Sequence, residues 1–331
     1  MQVSKIKYEI HSIDYNNTKF KKLLDNNKHL FPNKLHKSIS FNLLNSSTEF
    51  ANAIRRVVTN ELQIKILKVN INDIVTDDKF ILPNLIKDRI ESIPLDQNVS
   101  DSLKFKLNVY NNTLEFKNIK TKNIKIINNK EDISKLINLN MILCYLNSNK
   151  NLTVSNITVD KNTGFHNGKY ALCNVQYEII NTDFKSPTLS IDSNDFSFKF
   201  ITNGNIDPVQ IIHKTVINLT ERLTILKKNI KEFNNIYKEI EHKLVNTNDL
   251  YIIKNYNIYS YYINNETHTI GNLLVKYIYT LVPSIELVNY TIIHPSKNQV
   301  IINIKHNEHR KLILNSIELI LEDLKLFDSQ F

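Results

Sequence analysis

The sequence predicts an α+β protein: helices packed on antiparallel sheet, built as two similar units in one chain, the first interrupted by an inserted, mostly-β domain. Three observations carry this. Two amphipathic helices, one after Ser46 and one after Thr267, match position by position: Phe50 falls on Ile270, Ala51 on Gly271, Asn52 on Asn272, Ile54 on Leu274 and Val58 on Ile278. Each is followed by a β-rich run. A long segment, Val209 to Leu244, repeats apolar residues at spacings of three and four, and Ile313 to Phe327 repeats that seam.

Taken in order, residues 1–36 read as a polar N-terminal extension, in which Phe20, Leu23, Leu24, Leu30 and Phe31 suggest a short helix ended by Pro32. Ile39, Phe41 and Leu43 alternate as a strand. Ser46-Ser47-Thr48-Glu49 reads as a capping box, with Ser46 as N-cap and Glu49 reaching back to it. Phe50, Ala53, Ile54, Val57 and Val58 then form the apolar face. Arg55 and Arg56 flank that face, either as solvated residues or as guanidinium groups offered to a large partner. Ile64, Ile66, Val69 and Ile71 suggest further strand. A short helix lies between Pro83 and Pro94, which fix where the chain enters and leaves it. Residues 95–192 read as the insert, with alternation at Leu103, Phe105, Leu107 and Val109 and again at Leu152, Val154, Ile157 and Val159. The loop Gly164–Tyr170 leads into strand, so it lacks the strand–loop–helix context of a phosphate cradle.

Phe196, Phe198 and Phe200 alternate, and Asn203-Gly204 turns the chain. Asp207 is the expected N-cap and Pro208 the first residue of the long helix; at about 1.5 Å per residue it spans roughly 50 Å. Residues 246–250 read as a joint. Tyr251 to Ile263 reads as one aromatic strand whose tyrosines either stack bases or pack on a sheet. Thr267 then caps a helix with Ile270, Leu273, Leu274, Tyr277, Ile278 and Leu281 on one face, stopped by Pro283. Gly271 costs that helix about 1 kcal/mol relative to Ala, which is retained where another backbone must come close. Ile285–Ile293 and Val300–Ile304 are strands before the terminal helix.

The stretch Glu266-Thr267-His268-Thr269-Ile270-Gly271-Asn272-Leu273-Leu274, with Asn289-Tyr290 and His294-Pro295 after it, resembles the small α-like subunit of multisubunit RNA polymerases, the eleventh subunit of RNA polymerase II. Phe50-Ala51-Asn52-Ala53-Ile54-Arg55-Arg56, and the short helix with its Ile93-Pro94-Leu95 exit, resemble the larger α-like subunit, the third. Their fusion is similar to the arrangement in large nucleocytoplasmic DNA viruses of the African swine fever virus and giant-virus type.

The resemblance implies two α-like dimerisation units: residues 37–94 with 193–245, and residues 251–331. It implies an internal dimer interface through Phe50, Ile54, Val57, Ile270, Gly271, Asn272, Leu274 and Tyr277, and partner contacts through Asn52, Arg55, Arg56 and Arg89. The expected role is a non-catalytic platform on which two large catalytic subunits dock beside other small subunits, touching DNA only indirectly and needing no second copy. The expected location is the virion and the host cytoplasm, in viral factories. Lys169 and Tyr170 match the family's Gly-rich loop, but Asn167 stands where a His is usual. The four-cysteine metal loop of many relatives is missing.

Composition bounds the alternatives. The chain has 331 residues, 42% of them apolar, enough for two or three domains with a real core. No apolar run approaches the roughly 18 residues of a membrane span, and the first ten residues lack a signal pattern, so a soluble intracellular protein is expected. Two cysteines, Cys144 and Cys173, cannot build a thiolate zinc site alone, and no metal or cofactor is expected. The net charge of +9 keeps a stand-alone basic nucleic-acid-binding protein as the alternative, although its lysines are scattered among acids. Glu266 and His268 invite a base-and-orienter reading as a hydrolase. However, no Gly-framed Ser or Cys nucleophile accompanies them, and no catalytic residues are assigned.

Overall fold

The structure, a computed structural model, describes residues 1–11, 36–127, 132–171, 173–180, 195–203, 206–232, 250–255, 257–292, 294 and 298–331. Strand β1 (Gln2–His11) is followed by β2 (His36–Leu44), α1 (Thr48–Arg56), a π-helical turn Val57–Glu61, β3 (Gln63–Val69) and β4 (Ile74–Thr76). Helix α2 (Pro83–Glu91) leads to β5 (Lys104–Tyr110), β6 (Lys117–Lys120), β7 (Ile124–Ile127), the single turn α3 (Ile133–Leu136), β8 (Ile142–Leu146) and β9 (Asn151–Thr163). Then come β10 (Cys173–Ile179), β11 (Phe196–Asn203), the long α4 (Pro208–Glu232), β12 (Leu250–Asn255), β13 (Ile258–Asn264), α5 (His268–Leu281), β14 (Leu287–Ile292), β15 (Gln299–Lys305) and α6 (His309–Asp328). The fold class is α+β.

Two four-stranded antiparallel sheets, β1-β2-β11-β10 and β12-β13-β15-β14, carry the helices. A third sheet has the order β3-β9-β5-β7, with β4 also on β9, and β6 pairs β8. Alternation places Ile39, Phe41 and Leu43 of β2 and Phe196, Phe198 and Phe200 of β11 on the helix-covered face, all buried. Tyr261 and Ile263 of β13 and Val300, Ile302 and Ile304 of β15 do the same for the other four-stranded sheet. Helix α4 packs on α6, α6 on α5 and α5 on α1. One continuous core therefore runs from Ile39 through Phe50, Leu223 and Leu274 to Phe327. At about 1.5–3 kcal/mol for each buried Leu, Ile or Phe, this is the main term holding the two four-stranded sheets together. A second core runs from Leu67 to Ile157. Strand β3 joins them: Ile64 and Ile66 belong to the first core, Leu67 and Val69 to the second.

Several expectations are corrected. Residues 2–11 are not an unpatterned extension but an edge strand paired with β2. An irregularity between Ser4 and Lys7, with Lys5 at φ 52°, shifts the pairing register; Ile6, Tyr8 and Ile10 alternate but are exposed. The second core starts at β3 rather than residue 95, and β10, expected within 95–192, joins β11 in the first sheet. The N-cap of α1 is Ser47, whose Oγ accepts from the Phe50 N–H at 3.1 Å, not Ser46. The expected single strand Tyr251–Ile263 is two paired strands, β12 and β13. Thr267 caps α5 as expected, and Val209 N–H donates to Asp207 Oδ1 at the start of α4. The suggested helix over Phe20–Phe31, the glycine of Asn203-Gly204, the seam beyond Glu232, residues 246–249 and Pro295 lie outside the described residues. Among the described residues no helix is long and apolar enough to cross a membrane.

Candidate functional site: the junction of α1, α4 and α5

Helix α1 is capped at Ser47 and buries Phe50, Ala51, Ala53 and Ile54. Its last turn then widens into the π-helical turn, closed by Leu62 N–H donating to Val57 O at 2.9 Å. That turn carries Glu61 to where α4 and the start of α5 meet. Asn265, at φ 60°, bends the chain ahead of Glu266; Asn tolerates this left-handed conformation better than most residues. Arg222 of α4 lies between the two acids. Its Nη1 donates to Glu61 Oε2 at 2.6 Å, while Nη2 and Nε grip the two oxygens of Glu266 at 2.5 and 3.2 Å.

The hydroxyls of Thr267 and Thr269 donate to Glu61 Oε1 at 2.9 and 2.5 Å, and Arg56 Nε donates to Thr269 Oγ1 at 3.1 Å. Burial pushes the Glu61 carboxyl up, but Arg222 and the threonine donors more than cancel this and hold it below its ordinary range. Glu266 ends above its ordinary range, because burial outweighs the stabilisation from Arg222 and the charge of Glu61 adds to it. Two carboxylates thus share one guanidinium, with Arg56 Nη2 3.9 Å from Glu61 as a second cation. Chemically the arrangement is a lock between chain segments.

The residues expected at an internal interface converge here. Phe50, Ile54, Val57, Ile270, Gly271, Leu274 and Tyr277 are buried, and Asn272 is half-buried. The Phe50 ring meets Phe327 of α6 edge-on at 5.9 Å, and Tyr277 Oη donates to Asp323 at 2.5 Å. A Cβ on Gly271 would stand 2.8 Å from Tyr290 Cδ2 and 2.9 Å from Val300 Cγ1. The close neighbours are therefore side chains of β14 and β15, not the expected backbone. A backbone approach of that kind occurs instead at Gly164, where a Cβ would be 2.6 Å from Thr59 O.

The residues expected to meet partners do not form one patch. Asn52 and Arg55 pair with each other on α1, at 2.7 and 3.2 Å. Arg56 is drawn into the lock, and Arg89, on α2 over the second core, donates to the carbonyl of Leu143. Glu61 and Arg222 were missed in the sequence. Arg222 precedes Leu223 of the seam, and nothing in the local pattern marks it. His268 lies 3.3 Å from the Tyr290 hydroxyl on an exposed surface. Lys169 is paired with Asp88 and Glu91 rather than directed at a ligand. Burial pushes the thiols of Cys144 and Cys173 up to about 11 and about 12.

Comparison with known sequences finds similarity to α-like polymerase subunits. Residues 259–330 match the RNA polymerase Rpb3/Rpb11 dimerisation domain. The chain is 23% identical, over 75% of its length and 72% of the relative's, to the DNA-directed RNA polymerase RPB3-11 homolog of African swine fever virus from a Malawi tick isolate. A warthog isolate from Namibia gives 22% over the same shares. A tick isolate from South Africa reaches 36% over 62 residues, 19% of this chain and 17% of the relative. The resemblance to fused α-like subunits read from the sequence thus holds: the chain is Rpb3/Rpb11-like.

Proposed function

We propose that this protein is a non-catalytic assembly subunit of a viral DNA-directed RNA polymerase, in which two α-like units pair within one chain and offer a platform to the two large catalytic subunits. The observation that carries this reading is the lock at Arg222, which joins α4 and the turn after α1 to the start of α5, above a core common to both four-stranded sheets. In this reading Asn52 and Arg55, on the partly open side of α1, and Arg89 face the large subunits, while Arg56 serves the internal pairing. Other small subunits complete the assembly, DNA is reached only indirectly, and the location is the virion and viral factory. No second copy is required, since closure within a chain replaces association between chains. The test is co-expression of the tagged chain with the two large polymerase subunits of its source. Retention of both on the tagged chain is expected; salt-sensitive DNA binding by the isolated chain without retention would instead favour the nucleic-acid-binding alternative.

A further inference from the structure

The π-helical turn that brings Glu61 to Arg222 is gripped from outside by one short loop. Phe165 N–H donates to Asn60 O at 2.9 Å, and Gly164 lies so close that a Cβ there would stand 2.6 Å from Thr59 O and 3.2 Å from Asn60 Cα. Both neighbours are backbone, which cannot swing aside as a side chain can, so the approach requires glycine. The turn also carries a tie of its own: the Thr59 hydroxyl donates back to the carbonyls of Arg55 and Arg56 at 2.9 and 3.3 Å. A π turn closes from i to i+5 and is rare, occurring mostly as a single turn within α-helical chain. Here Leu62 N–H reaches Val57 O. Ordinary α-helical closure would send it to Val58 O instead and rotate Glu61 about the helix axis relative to Arg222.

The gripping loop is itself anchored at both ends. Thr163, just before Gly164, pairs with Gln63 where β9 meets β3. Beyond the loop, Lys169 Nζ lies 2.7 Å from Asp88 and 2.6 Å from Glu91 of α2, and Tyr170 Oη donates to Asp160 of β9 at 2.5 Å. Helix α2 and strand β9 both pack into the second core, through Ile86 and Ile90 and through Leu152, Val154 and Ile157. Residues 164–170 therefore run from elements of the second core to the turn that supplies Glu61. Crowding along them is confined to one place: a Cβ built on Gly168 meets no neighbouring atom within 4 Å. With the loop fixed from behind, a side chain at Gly164 pushes on the turn.

We propose that residues 164–170 form a strap that holds the turn Val57–Glu61 in its π register, with Gly164 as the positioning residue, and so couples the second core to the lock between Glu61, Arg222 and Glu266. The coupling does not depend on what the assembled chain binds. The test uses the full chain as wild type, as Gly164→Ala, Gly168→Ala and Glu61→Gln, and as Gly164→Ala combined with Glu61→Gln. Gly164→Ala should lower the urea midpoint, and Gly168→Ala should leave it nearly unchanged; an equal loss from both overturns the proposal. The shift caused by Gly164→Ala should shrink by at least half when Glu61 is already Gln, because less of the lock is then left to lose, whereas independent sites add. The carboxyl carbon of Glu61, followed by NMR, should titrate at higher pH in Gly164→Ala than in wild type, since the variant draws it from Arg222 and from the hydroxyls of Thr269 and Thr267 that hold it low. A contact that only fills space would lower the midpoint equally in both backgrounds and leave that titration in place, and either result overturns the strap. Should Gly164→Ala fail to fold, Lys169→Ala runs the same cycle, since it releases the strap from α2 without touching the turn. Additivity of that variant with Glu61→Gln overturns the proposal as well.

Discussion

Arg222 and Glu266 form a two-point pair, with Nη2 2.5 Å from Oε2 and Nε 3.2 Å from Oε1, between a helix and a turn 44 positions apart. Such a fork fixes angle as well as distance. Removing the guanidinium leaves two buried carboxylates without their shared cation. Arg222→Ala should therefore cost about 3–5 kcal/mol in denaturant unfolding. Adding Glu61→Gln and Glu266→Gln should restore part of that loss. A single variant as stable as wild type would show that the lock is not structural.

The two arginines of α1 should separate. Arg55 bonds only its own helix through Asn52 in the contacts described, so Arg55→Ala should leave the thermal transition nearly unchanged and weaken retention of the large subunits. Arg56 reaches Thr269, so Arg56→Ala should cost about 1 kcal/mol of stability. Equal stability losses from both would contradict this division.

Gly271→Ala sets helix propensity against packing. The added methyl gains about 1 kcal/mol in an open helix, but here it meets Tyr290 and Val300 below 3.0 Å. Overpacking of this kind costs about 1–3 kcal/mol, so a net loss is expected, and Gly271→Val should lose more. Companion replacement of Tyr290 by Leu should recover stability in the Ala variant; no recovery would mean that the sheet itself shifts.

His309 gives a pH dependence with a definite sign. Burial, reinforced by Arg310, lowers its pKa from 6.5 to about 4, and it sits stacked at 3.5 Å on Tyr259 and hydrogen-bonded to Tyr261. The folded state holds it neutral while the unfolded state takes up a proton. Its contribution is complete above about pH 6.5 and is lost as the pH falls towards 4. Melting temperature followed from pH 7 to pH 4 should fall less steeply in His309→Asn. Parallel curves would exclude this histidine as the cause.

Helices were legible in the sequence because a buried stripe repeats with the helical period: Leu219, Leu223, Leu226 and Ile230 are all buried as the seam requires. The β2 and β11 strands were legible for the same reason at period two. Strand β1 was not read, although Ile6, Tyr8 and Ile10 alternate: the run is short after the irregularity between Ser4 and Lys7, and its apolar residues are exposed rather than part of a core. The paired Gly271–Asn272 and Ala51–Asn52 positions lie on α5 and α1, which pack on each other, but the lock stayed hidden. Glu61 belongs to it only because a π-helical turn carries it there, and Arg222 only because α4 crosses both, neither of which is a local property of the chain.

The first sheet is closed by residues from the far end of the molecule. Val3 N–H donates to Gln330 Oε1, 327 positions away, and Phe41 takes the rings of Phe327 and Phe331 at 6.0 and 4.8 Å. During translation, then, the earliest strands leave the ribosome long before the helix that covers them exists. Until α6 emerges, Phe41 and Phe50 lack the ring of Phe327, and a product stalled before residue 309 never gains it. Contacts this distant also slow folding, since the first sheet is complete only after α6 has been synthesised.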